Sequence, residues 1–390
     1  MIEGETMNIL FYIGSAFPNG SAWAIRGQNL AKLFEKLGYN VHIISRFTLD
    51  EEYEKGKVNK FDGIDYEAIS NKDSRLSRFY SHITDLQVIK SYILNNDVDI
   101  FFTSSVPMMY KPLKKFLDKM NIPLYIEQCE WFDSKNFKLG KYDPNYRKMI
   151  ASINNEFHKS SGIVAISSFL ENHYKKLGAN VIRIPTILNV NNIDFEIIKP
   201  FNPNKIKLIF AGNIGGQKEL LGPIFEAISI VQNDIEIEFN IFGPTKAQVI
   251  DNIEMDEEIF NKISKSINMR GRVPQTVILE EVKKSDYMIF MRPERRSSEA
   301  GFPTKLAESF SVGTPVISNA TGDINKYLIN DYNGFLLNTP NPDALVDVLY
   351  KISEMKEDKY IQSRKKARLT AEKYFDYNVY TQNMKELLED

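Results

Sequence analysis

Short, mainly apolar runs recur along the first half of the chain, and stretches with helical periodicity separate them. These runs span residues 8–14, 41–45, 99–104, 123–127 and 162–167. Runs of this length that are apolar throughout are typical of strands buried on both faces. The order strand, glycine-containing loop, helix, strand at the start of the chain predicts a right-handed βαβ unit. The later runs extend it into a parallel sheet with helices on both faces.

The same pattern starts again beyond residue 200. Lys207–Gly212 predicts a strand that runs into a glycine-rich loop, and an amphipathic helix follows through Val231. Ile235–Phe242, which ends at a Gly-Pro pair, predicts the next strand. The second half of the chain therefore repeats the α/β organisation of the first.

A chain of 390 residues is long enough for two domains of ordinary size. We predict an α/β protein with two facing, doubly wound, Rossmann-like domains, over 7–197 and 198–373. A helix over about 374–390 is a candidate to pack back on the first domain. Because ligands of such sheets bind beyond the carboxyl ends of the strands, the cleft between the two domains is the expected site.

Composition excludes several classes of protein. The net charge of −2 argues against a nucleic-acid-binding surface. A single cysteine excludes an internal disulfide, and with four scattered histidines it offers no metal-ligand spacing. No apolar run near the start is long enough for a signal peptide or a membrane span. We therefore expect a cytoplasmic protein that needs no metal or other cofactor.

Residues 101–150 are locally basic, with nine Lys or Arg against five Asp or Glu. Four of these lysines surround apolar residues at helical spacing: Lys111, Lys114, Lys115 and Lys119. Two interpretations stay open. The segment is either an amphipathic patch that rests on the anionic inner surface of a membrane, or the solvated face of a helix whose other side packs on the core.

The stretch from Glu299 to Ile317 carries the strongest functional signal in the chain. Pro303 is a favoured first helical residue, so a short helix should begin near Phe302 or Pro303, and Gly313 and Pro315 should end it. Gly301 permits a positive φ or a close approach of the backbone. The first turn of a helix carries unpaired N–H groups and a partial positive charge, which favour a phosphate.

Two charged residues of this predicted helix share one face, because they are three residues apart. Lys305 would add a full positive charge beside the phosphate, and the carboxylate of Glu308 would accept hydrogen bonds from a ribose diol. The alternative is an exposed Lys–Glu pair of little consequence. The functional interpretation predicts a site for a nucleoside diphosphate.

Several motifs in the second half resemble one large family of enzymes. The segments 210–216, 270–274, 285–287, 301–309, 313–317 and 333–335 occur in that family's usual order. They are similar to retaining glycosyltransferases of the GT-B fold, in glycosyltransferase family four, which includes capsular and O-antigen enzymes. The resemblance implies transfer of a sugar from a UDP- or GDP-sugar to a polysaccharide or lipid-linked oligosaccharide, without a bound metal.

The resemblance also implies roles for particular residues. Glu308 corresponds to the ribose-binding glutamate, Lys218 to a diphosphate-binding lysine, and Lys305 to a residue near the diphosphate or sugar. The full set expected at the donor is Gly14, Gly212, Asn213, Gly215, Arg272, Val273, Arg292, Glu299, Gly301, Phe302, Pro303, Thr304 and Glu308. Lys218, Lys305 and Glu130 are the predicted catalytic residues, and Glu127 and Trp131 are predicted to contact the acceptor.

Three positions depart from the family pattern. Asn213 stands where arginine is frequent, Ala300 stands where the first of two glutamates is usual, and the region 127–131 lacks a frequent active-site histidine. Arg292, Arg295 or Arg296 is a candidate to replace the positive charge missing at Asn213. The departures leave two alternatives open: a nucleotide-sugar 2-epimerase of the same fold, and a non-catalytic partner subunit that binds a sugar nucleotide. A dehydrogenase fits less well, because residues 14–20 lack the G-x-G-x-x-G spacing.

Overall fold

The computed structural model of the protein describes residues 6–20, 22–54, 56–71, 75–196, 201–215, 218–252 and 257–389. The chain divides into two compact units. The first contains Met1–Asn189 and Tyr377–Asp390, and the second contains Val190–Asp376. The predicted junction between 197 and 198 falls on residues 197–200, which lie outside the described residues.

The sheet of the first unit is parallel apart from one edge strand. Within the described part of this unit eight strands occur in the order β3-β4-β2-β1-β5-β6-β7-β8, and only the β3–β4 pair is antiparallel. The strands are β1 (Asn8–Ala16), β2 (Asn40–Phe47), β3 (Asn59–Phe61), β4 (Ile64–Ser70), β5 (Ile100–Ser104), β6 (Leu124–Gln128), β7 (Gly162–Ala165) and β8 (Val181–Arg183). All five apolar runs predicted as strands in this half are strands.

Helices connect these strands. They are α1 (Ala22–Lys36), α2 (Arg75–Asn95), α3 (Tyr110–Met120), α4 (Pro144–Asn155) and α5 (Ser168–Lys176), and near the C-terminus α14 (Thr381–Glu389). Phe11 on β1 packs edge-on against Phe34 of α1 and Phe102 of β5. Met384 and Leu387 of α14 belong to the same buried core. The C-terminal helix is thus part of the first unit.

The second unit has a fully parallel sheet. In the residues described there, six strands follow the order β11-β10-β9-β12-β13-β14. They are β9 (Lys205–Ala211), β10 (Glu236–Phe242), β11 (Ile267–Gly271), β12 (Tyr287–Ile289), β13 (Val316–Asn319) and β14 (Gly334–Leu337). The helices are α6 (Gly222–Val231), α7 (Lys246–Asn252), α8 (Glu257–Lys262), α9 (Gln275–Lys284), α10 (Arg296–Ala300), α11 (Thr304–Ser311), α12 (Pro342–Ser353) and α13 (Glu357–Tyr374).

Glycines bring the carboxyl ends of two neighbouring strands together. Gly212 follows β9, and its N–H donates to the carbonyl oxygen of Phe242 at 3.1 Å. Gly243 follows β10 with φ +108°, and a Cβ there would collide with the carbonyl oxygen of Gly212. Only glycine fits such an approach. The strand ends therefore meet in a compact edge with bare backbone, where ligands of parallel sheets bind.

The helix predicted from the Gly-Pro entry is α11. It begins at Thr304, and Gly313 with φ +72° ends it by donating its N–H to Phe310 O at 2.9 Å. Gly301 does not use a positive φ, since its φ is −88°. Among the described residues no helix is both long and apolar enough to cross a bilayer.

Candidate active site

Lys305 and Glu308 lie on one face of α11, and both side chains are buried. Their exposed fractions are 7% and 9%. An exposed Lys–Glu pair of little consequence is therefore excluded. Charged side chains are seldom buried unless other groups compensate them. The groups around these two residues therefore define what the site can bind.

The ammonium of Lys305 lies over the carboxyl end of β9. It is 2.5 Å from Glu219 Oε1, and it lies 4.6 Å from the ring centroid of Phe210 and 5.2 Å from that of Phe290. A Cβ added to Gly212 would come within 3.1 Å of Nζ. Burial lowers the pKa of Lys305, and Glu219 acts in the opposite direction. The site thus holds a partly desolvated cation on an aromatic floor.

Glu308 is held by a residue of α9. Gln275 Nε2 donates to Glu308 Oε1 at 2.8 Å. Burial raises the pKa of Glu308 to about 7, although Lys305 and Gln275 both favour its ionised form. Near neutral pH this carboxyl is therefore present in both protonation states. Only the ionised form offers both oxygens as acceptors to a diol.

Arg292 and Glu299 stabilise the loop that precedes α11. The backbone of Arg292 forms two hydrogen bonds with the side chain of Asn319, at 2.8 and 2.9 Å, and its guanidinium donates to Ser298 O at 3.2 Å. Arg292 is also close enough to lower the pKa of Lys305. The carboxylate of Glu299 accepts the N–H of Gly322 at 3.1 Å. Arg292 therefore adds positive charge to the site, whereas Glu299 holds a turn.

The loop after β9 places two predicted donor residues at the surface. Asn213 is exposed, and its Oδ1 accepts the N–H of Gly215 at 2.8 Å, which closes a local turn. Lys218 is also exposed. Lys218 thus lies at the surface, whereas Lys305 is buried.

The predicted base-binding segment follows β11. Gly271 turns the chain with φ +66°, after which Arg272 is exposed and Val273 is half-buried. The same segment leads directly into α9, whose first residue is Gln275. The segment thus connects the predicted base site to the carboxylate of Glu308.

The residues before α11 divide between backbone and core. Gly301 is extended, and its N–H donates to Ser297 O at 3.2 Å. Phe302 is buried, with its ring 5.5 Å from that of Tyr327 and 5.7 Å from that of Phe375. Pro303 is the N-cap, and Thr304 is the first helical residue. The side chain of Phe302 therefore belongs to the core, so that only its backbone is available to a donor.

In the first unit the structure corrects the expectation for Glu127. Its side chain is 1% exposed and pairs with Arg26, whose guanidinium also donates to the carbonyl oxygens of Ile184, at 2.9 Å, and Pro185. The carboxylate does not point outward from the strand end, because the buried guanidinium needs a counter-ion. Glu127 is therefore a structural residue in this arrangement.

The structure also corrects the prediction that Trp131 contacts the acceptor. Trp131 is buried against Phe169 and His173, with ring centroids 5.8 and 4.7 Å away, so its face is not open to a sugar. Glu130 is half-buried and remains a candidate catalytic residue.

Gly14, a predicted donor residue, lies within β1 rather than in the following loop, and its N–H donates to Ser104 Oγ at 3.1 Å. A Cβ at Gly14 would make only ordinary contacts, the nearest at 3.5 Å.

Sequence reasoning missed three partners of the central charges. Glu219 binds Lys305 across 86 residues, and Gln275 binds Glu308 across 33. Phe290, two residues before Arg292, completes the aromatic floor. The apolar strand β12, which Phe290 directly follows, was a usable signal, but no local pattern identifies Glu219 or Gln275. Among the side chains that the structure describes, no three His, Cys, Asp or Glu residues converge as metal ligands.

Comparisons with known proteins agree with this architecture. Residues 193–373 match the protein family described as "Glycosyl transferases group 1". No curated protein matches the chain in sequence. The fold is similar to that of sucrose-phosphate synthase from Thermosynechococcus elongatus, at 13% identity and a TM-score of 0.73 over 98% of each chain.

Two further structures are similar over nearly their whole length. A glycosyltransferase from Rickettsia africae has 18% identity and a TM-score of 0.68, over 99% of this chain and 100% of the other. HepE from Anabaena, solved in complex with UDP and glucose, has 14% identity and a TM-score of 0.67, over 98% and 99%. The predicted GT-B fold is confirmed, and the second unit matches the family of group 1 glycosyl transferases.

Proposed function

We propose that this protein is a retaining glycosyltransferase of family four. It transfers a hexose-type unit from a UDP- or GDP-sugar to a polysaccharide or lipid-linked oligosaccharide acceptor in the cytoplasm. The observation that carries the proposal is that α11 buries Lys305 and Glu308 on the same face, with Lys305 beside the carboxyl ends of β9 and β12 and Glu308 against Gln275. The complex of the similar HepE with UDP and glucose supports a sugar nucleotide as donor.

The cations of the site suit a diphosphate leaving group. Transfer breaks the bond between the anomeric carbon and a phosphate oxygen, and negative charge grows on that oxygen. Lys305 and Arg292 are buried near one another, and Lys218 is exposed on the adjacent loop. A hydrogen bond to a charged group contributes about 1.5 to 3 kcal/mol, so two or three that strengthen in the transition state account for several powers of ten in rate.

Glu308 suits the ribose of the same donor. Its carboxylate accepts hydrogen bonds from the two ribose hydroxyls, while Gln275 keeps Oε1 oriented. Lys305 and Glu308 are three residues apart on one helix, so a single element positions both the phosphates and the ribose. A nucleoside diphosphate therefore matches the arrangement better than a free sugar phosphate.

The acceptor reacts on the face of the sugar from which the diphosphate leaves. The acceptor oxygen bonds to the anomeric carbon, its proton passes to the departing phosphate oxygen, and the configuration is retained. This route needs neither a protein nucleophile nor a metal. We propose that Glu130 orients the acceptor hydroxyl.

The test is a calorimetric binding series with UDP-, GDP-, ADP- and CMP-sugars. We expect the UDP- or GDP-sugar to bind most tightly, and Glu308→Ala to weaken that binding by about 1 to 3 kcal/mol through loss of the diol hydrogen bonds. Glu281→Ala is the control, because Glu281 pairs with Lys284 at the surface of the same unit. Unchanged donor affinity in Glu308→Ala would contradict the assignment.

Product analysis separates transfer from the alternatives. Incubation with the preferred sugar nucleotide and no acceptor should leave the sugar unchanged or release it by slow hydrolysis. An epimerised sugar nucleotide would identify an epimerase instead. Binding with neither hydrolysis nor transfer would favour a non-catalytic subunit.

We further propose that α3 contacts an anionic membrane surface. Leu113 and Leu117 face the core, whereas Lys111, Lys115 and Lys119 are exposed beside a groove of about 590 Å³. A cluster of exposed lysines is attracted to anionic lipid at about 1 kcal/mol per residue. Binding to vesicles of anionic lipid measures this contact directly.

Sedimentation with vesicles of phosphatidylglycerol and phosphatidylcholine provides that measurement. Replacing Lys111, Lys115 and Lys119 with alanine should reduce vesicle binding by more than tenfold at low salt. The control replaces three exposed lysines of the second unit: Lys356, Lys359 and Lys365. Equal binding of both triple variants would exclude α3 as the contact.

A further inference from the structure

The ion pair between Lys305 and Glu219 is incomplete. Glu219 Oε1 lies 2.5 Å from the ammonium, but the second oxygen, Oε2, is buried and has no hydrogen-bond partner among the residues that the structure describes. A buried carboxylate usually needs partners for both oxygens. The pair therefore neutralises charge without the full set of hydrogen bonds that a permanent buried pair requires.

The position of Glu219 explains why the pair exists. Lys305 is buried between Phe210 and Phe290 and is also repelled by Arg292. An ammonium in such surroundings needs a nearby anion. Glu219 supplies it from the segment between β9 and α6, next to the exposed Lys218. Another anion that binds the same ammonium therefore has to compete with Glu219 for it.

We propose that Glu219 is the resident counter-ion of Lys305 and that the donor's diphosphate displaces it. This inference rests on the proposed function, because it takes the diphosphate to bind at Lys305. In the empty protein Glu219 compensates the buried ammonium. When the donor binds, phosphate oxygens take over that role, and the carboxylate withdraws or shares the ammonium. Glu219 thus makes the empty site stable at the expense of donor affinity.

The proposal predicts effects of opposite sign on stability and on binding. Glu219→Gln removes the anion that compensates Lys305, so the empty protein should melt at a lower temperature, by on the order of 5 °C. The same change removes a negative charge that competes with the diphosphate, so UDP should bind more tightly. A residue that only positioned Lys305 would weaken UDP binding when it is changed.

The experiment measures the affinity of UDP and of uridine by calorimetry, with GDP and guanosine in their place if the protein prefers GDP. In Glu219→Gln the Kd for the nucleoside diphosphate should fall about five- to tenfold, and the Kd for the nucleoside should not change. Glu281→Gln makes the same substitution in the exposed pair with Lys284, and it should alter neither affinity.

Each outcome is informative. An unchanged or higher Kd for the nucleoside diphosphate in Glu219→Gln overturns the counter-ion role, while wild-type binding of the same ligand leaves the proposed function standing. Failure of the wild type to bind any nucleoside diphosphate overturns both. If Glu219→Gln does not fold, Glu219→Asp replaces it, since the shorter side chain weakens the pair and should lower the Kd about twofold. A rise in Kd in that variant would contradict the proposal.

Discussion

Both units bury a cation against a carboxylate, but the two pairs are completed differently. In the first unit the guanidinium of Arg26 donates to Glu127 and to the carbonyl oxygens of Ile184 and Pro185. These partners come from separate segments of the unit, β6 and the chain after β8. The guanidinium is therefore surrounded by permanent acceptors of the fold.

In the second unit the ammonium of Lys305 has one carboxylate, Glu219, and two aromatic faces. Within the described part of the chain, one buried oxygen of Glu219 has no hydrogen-bond partner. The difference shows that burial of a charged pair does not by itself indicate a binding site. Backbone carbonyls complete the pair of Arg26, which belongs to the fold, whereas the pair of Lys305 lacks them and is the one that we propose to exchange with a ligand.

The largest expected effect comes from replacing each pair by neutral residues of similar size. Arg26→Met with Glu127→Gln should lower the free energy of unfolding by about 2 to 4 kcal/mol, because the carbonyls of Ile184 and Pro185 lose their donors. Lys305→Met with Glu219→Gln should change it by less than about 1 kcal/mol, because the hydrogen bond described for Lys305 goes to Glu219 and not to a backbone acceptor. Urea unfolding measures both.

The two tryptophans help to assign the transitions. Trp23 and Trp131 both lie in the first unit, so their fluorescence follows the Arg26 variant, and far-ultraviolet circular dichroism follows both units. Equal losses of stability in the two double variants would remove the distinction between a structural and an exchangeable pair. The Lys305 variant should also lose nucleoside diphosphate binding, whereas the Arg26 variant should retain it while folded.

A smaller expected effect is a pH dependence of UDP affinity. It sharpens the comparison of the two units, because Glu308 titrates beside Lys305. Burial raises its pKa to about 7, so the carboxyl ionises between about pH 6 and 8. If only the ionised form binds the ribose, UDP affinity should rise up to about tenfold across that range. In Glu308→Gln the pH dependence that remains should be that of the UDP phosphates alone. A pH profile identical to that of the wild type would exclude a role for the ionised carboxylate in binding the ribose.

The raised pKa of Glu308 also makes stability depend on pH. Stability falls as pH rises, whereas UDP affinity rises. The folded pKa of Glu308 lies above its unfolded value, so the folded protein binds more protons between about pH 4.5 and 7. The contribution of this carboxyl to stability is therefore fully present below that range and is lost as pH rises through about 7. Ligand binding and folding thus favour different protonation states of one residue.

Much of the fold could be predicted from local patterns. Apolar runs identified strands such as β1 and β9, and the Gly-Pro punctuation located α11 to within one or two residues. These signals are local because strand and helix periodicity reflect burial along a few consecutive residues. By the same reasoning, a spacing of three residues is enough to place Lys305 and Glu308 on one face of α11.

Predictions for single side chains beyond strand ends succeeded less well. Glu127 and Trp131 lie at the end of β6, where a ligand site was expected, yet both turn into the interior. Arg26 on α1, which pairs with Glu127 across 101 residues, carries no sequence signal that separates it from a solvated helix arginine. The direction of such side chains depends on what packs beside them, which a local pattern does not contain.

The sequence by itself determined the two α/β halves, the helix at residues 304–311 and the placement of a lysine and a glutamate on one face of that helix. Each of these follows from periodicity, glycine and proline within a short window. Only the tertiary structure decided that Glu219 meets Lys305, that Gln275 meets Glu308 and that Glu127 is taken by Arg26. These pairs join segments distant in the chain, and they form because a charge that folding removes from water must find its partner wherever the packed elements bring one close.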